Sequence, residues 1–174
     1  MDYNFFAHLQ QLELMAFFSG YPLIYAVILF FAGNQLGKDN FKSRITYLLP
    51  FAYALVGTLY LGLQLKNLYP DYSFEHLKLT IQQPWLISWG LLSTLFWIPV
   101  LNKKPFLSLI HSLIFFFFLV KDLFLQLTAS AADNDVVRND MKIYTISLLL
   151  NLGVLIFTVL ISFIFTYLKK HLKS

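Results

Sequence analysis

The chain has 174 residues, of which 58% are hydrophobic, 18% aromatic and only 13% charged, with a formal net charge of +4. A water-soluble domain of this length carries about twice that charged fraction, so a soluble globular fold is excluded. There is no cysteine, which excludes disulfides, thiolate metal sites, iron–sulfur clusters and a cysteine nucleophile.

Several long uncharged runs read as transmembrane helices, and together they give one membrane domain over residues 1–174. The opening residues carry Asp2 and Glu13 but no Lys or Arg, which does not fit the basic start of a secretory signal. Residues 3–18 place Phe5, Phe6, Leu9, Leu12 and Ala16 near one helical face. Ser19-Gly20-Tyr21-Pro22 then interrupts the pattern. Two readings follow: an interfacial helix ahead of the first span, or one long helix kinked near Pro22. The kinked helix is preferred, with the first span at about residues 14–37.

A short basic loop leads to the second span, residues 45–65, with Pro50 in its first turns. Ala54, Thr58 and Gly62 recur every four residues, a stripe of small residues that lets helix backbones approach in lipid. The longer loop that follows spaces Phe74, Leu77 and Ile81 for a short amphipathic turn. Pro84 opens the third span, residues 84–101, whose Trp85, Trp89 and Trp97 mark two interfaces. Asn102-Lys103-Lys104-Pro105 is a tight turn, so the third and fourth spans are antiparallel neighbours. The fourth span covers residues 106–127 and the fifth residues 143–168, separated by a polar, net acidic loop.

Lys38, Lys42, Arg44, Lys103, Lys104, Lys169, Lys170 and Lys173 fall on one side of this arrangement, and Lys66, Lys78, Arg138 and Lys142 on the other. The positive-inside rule then sets the N-terminus outside and the C-terminus in the cytoplasm. The expected fold is an all-α integral membrane protein, a five-transmembrane-helix bundle in the plasma (inner) membrane.

Polar groups inside the spans are costly and therefore point to function or to helix association. Lys121 and Asp122 lie a few residues below the outer end of the fourth span. Adjacent residues point about 100° apart on a helix, so the two are not partners. Lys121 is placed to snorkel outward. Asp122 shares an inward face with Ser108, His111, Ser112, Phe115 and Gln126. On the fifth span Ser147, Asn151, Thr158 and Ser162 form a second polar stripe.

His111, Asp122, Gln126 and Asn151 are the candidate ligand or proton site, and no catalytic residue is assigned. Ala54, Thr58, Gly62, Ser147, Thr158 and Ser162 are the candidate helix-packing positions. His8, His76, Asp71 and Glu75 lack metal-ligand spacing, and His111 has no histidine opposite it at matching depth for a haem, so no metal or cofactor is expected. The basic residues flank the membrane, where orientation and anionic lipid account for them, so no nucleic-acid partner is expected.

Tyr21-Pro22-Leu23-Ile24-Tyr25, a short basic loop and Leu48-Leu49-Pro50-Phe51 resemble the first two spans of bacterial multi-span sensor–regulators. The resemblance ends there, the sequence continues into no DNA-binding part, and no residue role is carried across.

The expected function is a non-enzymatic multi-pass subunit or adaptor that packs on partner membrane proteins or on itself, surrounded by membrane lipid. The alternative is a small transporter, or a sensor for an apolar ligand or lipid, with a polar site between the fourth and fifth spans. A third reading is a lipid-modifying enzyme using Asp122 or His76 as base.

Overall fold

A computed structural model describes residues 3–32, 41–128 and 134–171, with side chains over 7–31, 44–125 except 79, 128, 141–169 and 171. The described residues form helices and turns with no strand. Four stretches are long and apolar enough to cross a membrane: Ala7–Phe31, Arg44–Leu68, Pro105–Leu125 and Met141–Lys169. Every backbone donor and acceptor in a bilayer must be met internally, and helices do this within one segment. The chain is thus an all-helical membrane protein.

The first of these stretches is two helices, α1 (Tyr3–Phe18) and α2 (Tyr21–Ala32), separated by Ser19-Gly20. Pro22 sits in the first turn of α2, where its missing N–H has no intrahelical acceptor to lose. The amide of Ser19 still donates to the Met15 carbonyl at 3.0 Å, and that of Ile24 to the Gly20 carbonyl at 3.3 Å. The chain therefore bends with its ladder interrupted only between these two positions, where the Gly20 amide bonds to Ser147 instead.

Helix α3 (Phe41–Leu68) begins before residue 45, so Pro50 lies inside it and is buried rather than standing in its first turns. α3 runs antiparallel to α1–α2. Gln64 meets Glu13, Tyr60 meets Phe17 and Phe18, and Tyr53 meets Phe18 and Tyr21. The amphipathic turn is α4 (Phe74–Thr80), with Ser73 as N-cap.

The stretch 84–101 departs from the expected single helix. It is α5 (Pro84–Leu91), a 3-10 segment over Leu92–Trp97 and a short α6 (Pro99–Asn102). Its side chains give the reason. Ser93 Oγ donates to the Gly90 carbonyl at 2.5 Å and Thr94 Oγ1 to the Leu91 carbonyl at 2.7 Å. Such back-bonding offers the carbonyls an alternative to the α ladder. Pro99 then forces Ile98 out of helical geometry, to φ −71° and ψ 128°. The broken segment still runs the length of α3 in the opposite sense: Gly90 lies against Tyr60, Ser93 against Gly57, Phe96 against Tyr53 and Trp97 against Phe51.

Helix α7 (Pro105–Thr128) follows, antiparallel to α1–α2, with Ser108 beside Tyr21 and Phe115 beside Phe18. Helix α8 (Asn134–His171) is the longest and starts within the expected loop. It lies antiparallel to α3, Arg44 reaching Ser162.

The core centres on Phe18. Its ring stacks on Phe115 with centroids 4.8 Å apart and meets Tyr53 and Tyr60 edge-on at 5.7 and 5.4 Å. These geometries follow the ring quadrupole, and they join α1, α3 and α7 at one point. Gly90 of α5 lets that segment close over the cluster: a Cβ there would stand 2.5 Å from Leu14 Cδ2. The small-residue stripe expected over Ala54, Thr58 and Gly62 packs only in part. Ala54 is buried, but Gly62 faces open space with nothing within 4 Å of where a Cβ would stand. The close backbone approach of α3 is made by Gly57 instead, one turn away on the face that meets Ser93.

Candidate functional site

The inward face of α7 contains the residues its spacing implies. Ser108, Ser112, Phe115 and Leu119 are buried. His111 lies half-buried between α3 and α5. Its Nδ1 is 2.7 Å from the Tyr53 hydroxyl, and its ring stacks on Trp89 with centroids 4.9 Å apart and planes 7° from parallel. Trp89 Nε1 donates to the His111 carbonyl at 3.4 Å. His111 Nε2 is buried and meets no hydrogen-bond partner. Below this level Tyr21 and Ser108 share a hydroxyl–hydroxyl bond of 2.8 Å. The Tyr21 and Tyr53 rings have centroids 4.4 Å apart.

Asp122 belongs to a different layer. Its Oδ2 accepts from Gln11 Nε2 at 2.8 Å, tying α7 to α1. Lys121 is exposed while Asp122 is half-buried, so the two adjacent charges part as helical geometry requires. Gln10 works at the same end. Its Nε2 donates to the Thr80 carbonyl at 2.6 Å, and its Oε1 accepts from the amides of Gln82 and Gln83 at 3.1 and 3.2 Å. Gln64 Nε2 donates to Glu13 Oε2 at 3.4 Å.

Asn151 occupies a third place. Its Nδ2 donates to the carbonyls of Phe17 and Ser147, both at 2.8 Å, and Ser147 Oγ accepts from the Gly20 amide at 2.8 Å. Both residues therefore meet backbone groups at the α1–α2 bend. His111, Asp122 and Asn151 do not converge. They serve the α7–α3, α7–α1 and α8–α1 junctions respectively, because α1–α2 and α3 stand between the polar faces of α7 and α8. The side chain of Gln126 lies outside the described residues.

Of the remaining packing candidates, Ser162 accepts from Arg44 at 3.1 Å. Thr158 bonds back to the Val154 carbonyl of its own helix at 2.8 Å. Thr58 Oγ1 donates to the Ala54 carbonyl and accepts from Trp97 Nε1, each at 2.9 Å.

Four contributors were not evident from sequence: Tyr53, Trp89, Gln11 and Arg44. Tyr53 carried a signal, since a tyrosine deep in an apolar run needs a partner for its hydroxyl. Among the described residues no group of three or more His, Cys, Asp and Glu could hold a metal ion. Asp71, in the exposed loop before α4, accepts from the amide of Ser73 at 3.0 Å and from its hydroxyl at 2.9 Å. These bonds hold its carboxyl below the usual carboxylate range.

No protein-family model, no curated protein and no solved structure matches this chain.

Proposed function

We propose that the protein is a non-enzymatic, multi-pass subunit or adaptor of the plasma (inner) membrane that packs on partner membrane proteins. Helix α8 carries this reading. Only 17% of its most apolar stretch is buried within the protein, against 44% in Ala7–Phe31 and in Arg44–Leu68. Leu149, Leu152, Ile156, Leu160, Ile164 and Phe165 all stand exposed along it. One side of α8 docks on the bundle, and the rest is a helix-long apolar face that lipid or another transmembrane helix can cover. Asp122, Asn151 and Tyr53 each bond across to another helix of the bundle, and Ser147 to the α1–α2 bend, which fits a structural role.

Purification of the full chain in mild detergent is expected to recover a second membrane protein in constant stoichiometry. A clean monomer or homo-oligomer overturns the adaptor reading.

In this reading the chain crosses five times, counting the broken segment Pro84–Asn102, with the N-terminus outside and the C-terminus in the cytoplasm. The absence of cysteine makes single-cysteine labelling clean. Ser73→Cys is expected to react from outside and Lys103→Cys only from the cytoplasm. Labelling of both from one side overturns the five-span count.

A further inference from the structure

Arg44 crosses from the first turn of α3 to α8. Its Nη2 donates to the carbonyl and the hydroxyl of Ser162, each at 3.1 Å, and to the hydroxyl of Thr166. The guanidinium carbon lies 5.2 Å over the Phe163 ring. All of these partners are neutral. Among the described residues no carboxylate faces this guanidinium, and its Nε and Nη1 donate to none of them. The side chain is thus held in a fixed pose, with a cation and two donor groups unspent on the described residues. Lys169 adds a second cation, since Ser162, Thr166 and Lys169 follow one another on one face of α8 at i, i+4 and i+7.

The same seam continues into an open apolar groove of about 440 Å³. Leu55 and Leu59 line it from α3, and Leu149, Gly153, Val154 and Phe157 from α8. Phe157 lies five residues before Ser162, roughly 7.5 Å along the helix. Arg44 and Lys169 stand at the ends of their membrane-crossing stretches, so the cations sit at the membrane edge and the groove runs from them toward the bilayer interior. Gly153 keeps the groove open: nothing lies within 4 Å of where its Cβ would stand.

We propose that the α3–α8 seam binds one anionic phospholipid, its phosphate on Arg44 and Lys169 and one acyl chain along the groove. A guanidinium matches a phosphate in shape and charge, and basic pockets between transmembrane helices on the cytoplasmic side suit anionic headgroups. A zwitterionic lipid brings the same phosphate with its own cation attached, which weakens the attraction. The site uses the side of α8 turned toward α3 and shares only Leu149 with the exposed residues named above; its test reads lipid rather than a partner protein.

The test is thermal unfolding of the full chain in mixed micelles containing phosphatidylglycerol or phosphatidylcholine with the same acyl chains. Phosphatidylglycerol is expected to raise Tm in a saturable way and phosphatidylcholine far less. Arg44→Gln is expected to weaken the apparent affinity for phosphatidylglycerol about tenfold, the loss of one charged hydrogen-bonding group, and Arg44→Lys to restore much of it.

Because Arg44 also ties α3 to α8, Gly153→Phe provides a second arm. A Cβ there meets nothing within 4 Å and the ring is expected to lie in the groove, so Tm without lipid is expected to hold while the phosphatidylglycerol shift falls. Equal shifts from both lipids, or a phosphatidylglycerol shift untouched in Arg44→Gln and Gly153→Phe, overturn the proposal. Inorganic phosphate alone reproducing the shift would reduce the site to a free-anion contact and overturn it too.

Discussion

The Tyr53 hydroxyl stands 2.7 Å from Nδ1 of His111, and that bond fastens α3 to α7 at the level where Trp89 covers the imidazole. Tyr53 is fully buried, so its hydroxyl has no water to fall back on, and removing it leaves Nδ1 in the same position. Hydrogen bonds between transmembrane helices average about 0.6 kcal/mol, and orphaning a buried partner costs about 1–3 kcal/mol. Tyr53→Phe is expected to lower stability by about 1–2 kcal/mol in detergent unfolding. Combined with His111→Phe it should cost less than the sum of the single changes. Strict additivity would mean that the two side chains do not act as a pair.

The bond from Gln11 to Asp122 separates a structural tie from a proton site. An asparagine carbonyl accepts from Gln11 as a carboxylate does. Asp122→Asn is therefore expected to unfold within about 0.5 kcal/mol of the parent, and Asp122→Leu to lose about 1 kcal/mol. If Asp122→Asn is as damaging as Asp122→Leu, the charge itself is at work.

Two glycines give opposite expectations from the same substitution. A Cβ on Gly20 would stand 2.7 Å from the Leu148 backbone nitrogen and 2.8 Å from the Ser147 carbonyl carbon. Backbone atoms of a packed helix do not yield cheaply, so Gly20→Ala is expected to cost at least the 1–3 kcal/mol typical of overpacking. Gly62 meets nothing, and Gly62→Ala should be neutral, or stabilising by up to about 1 kcal/mol through helix propensity. Paired melting curves of the two variants check both.

The depressed carboxyl of Asp71 makes the start of α4 sensitive to acid. A group whose pKa is lower in the folded state contributes its stability above its unfolded value, about 3.9, and loses it as pH falls through the folded one. Amide-exchange protection at Ser73 and His76 should be level at neutral pH and fall only below about pH 4. Asp71→Asn should remove that acid dependence. A protection profile that already declines between about pH 7 and 5 would assign the effect to another group.

The sequence foretold the helices and the inward face of α7 because both follow from periodicity along one segment: Ser108, His111, Ser112 and Phe115 recur at helical spacing. It did not foretell the partners. Tyr53 is 58 residues from His111 and Gln11 is 111 from Asp122, and nothing local sets which helix a polar group will face. This is why His111, Asp122 and Asn151, grouped by residue type, serve three separate junctions. The broken helix over residues 84–102 was hidden for another reason. Its composition is that of a span, and the 3-10 turn arises from the hydroxyls of Ser93 and Thr94 bonding back, together with the contact of Ser93 on Gly57. The stripe through Gly62 illustrates the converse: small residues permit close approach, but only a neighbour on that face uses it.

The bend between α1 and α2 has a consequence for how the molecule is made. At that bend the Phe17 carbonyl and the Gly20 amide find their partners in Asn151 and Ser147, residues 134 and 127 positions further along. Bare backbone groups are not tolerated against lipid. A nascent chain that has inserted only α1 to α7 must therefore hold this bend by provisional means, through water, headgroups or the insertion machinery. Completion of the bend between α1 and α2 waits on the arrival of α8, so the bundle closes earlier-made helices on one synthesised well after them rather than assembling in sequence order.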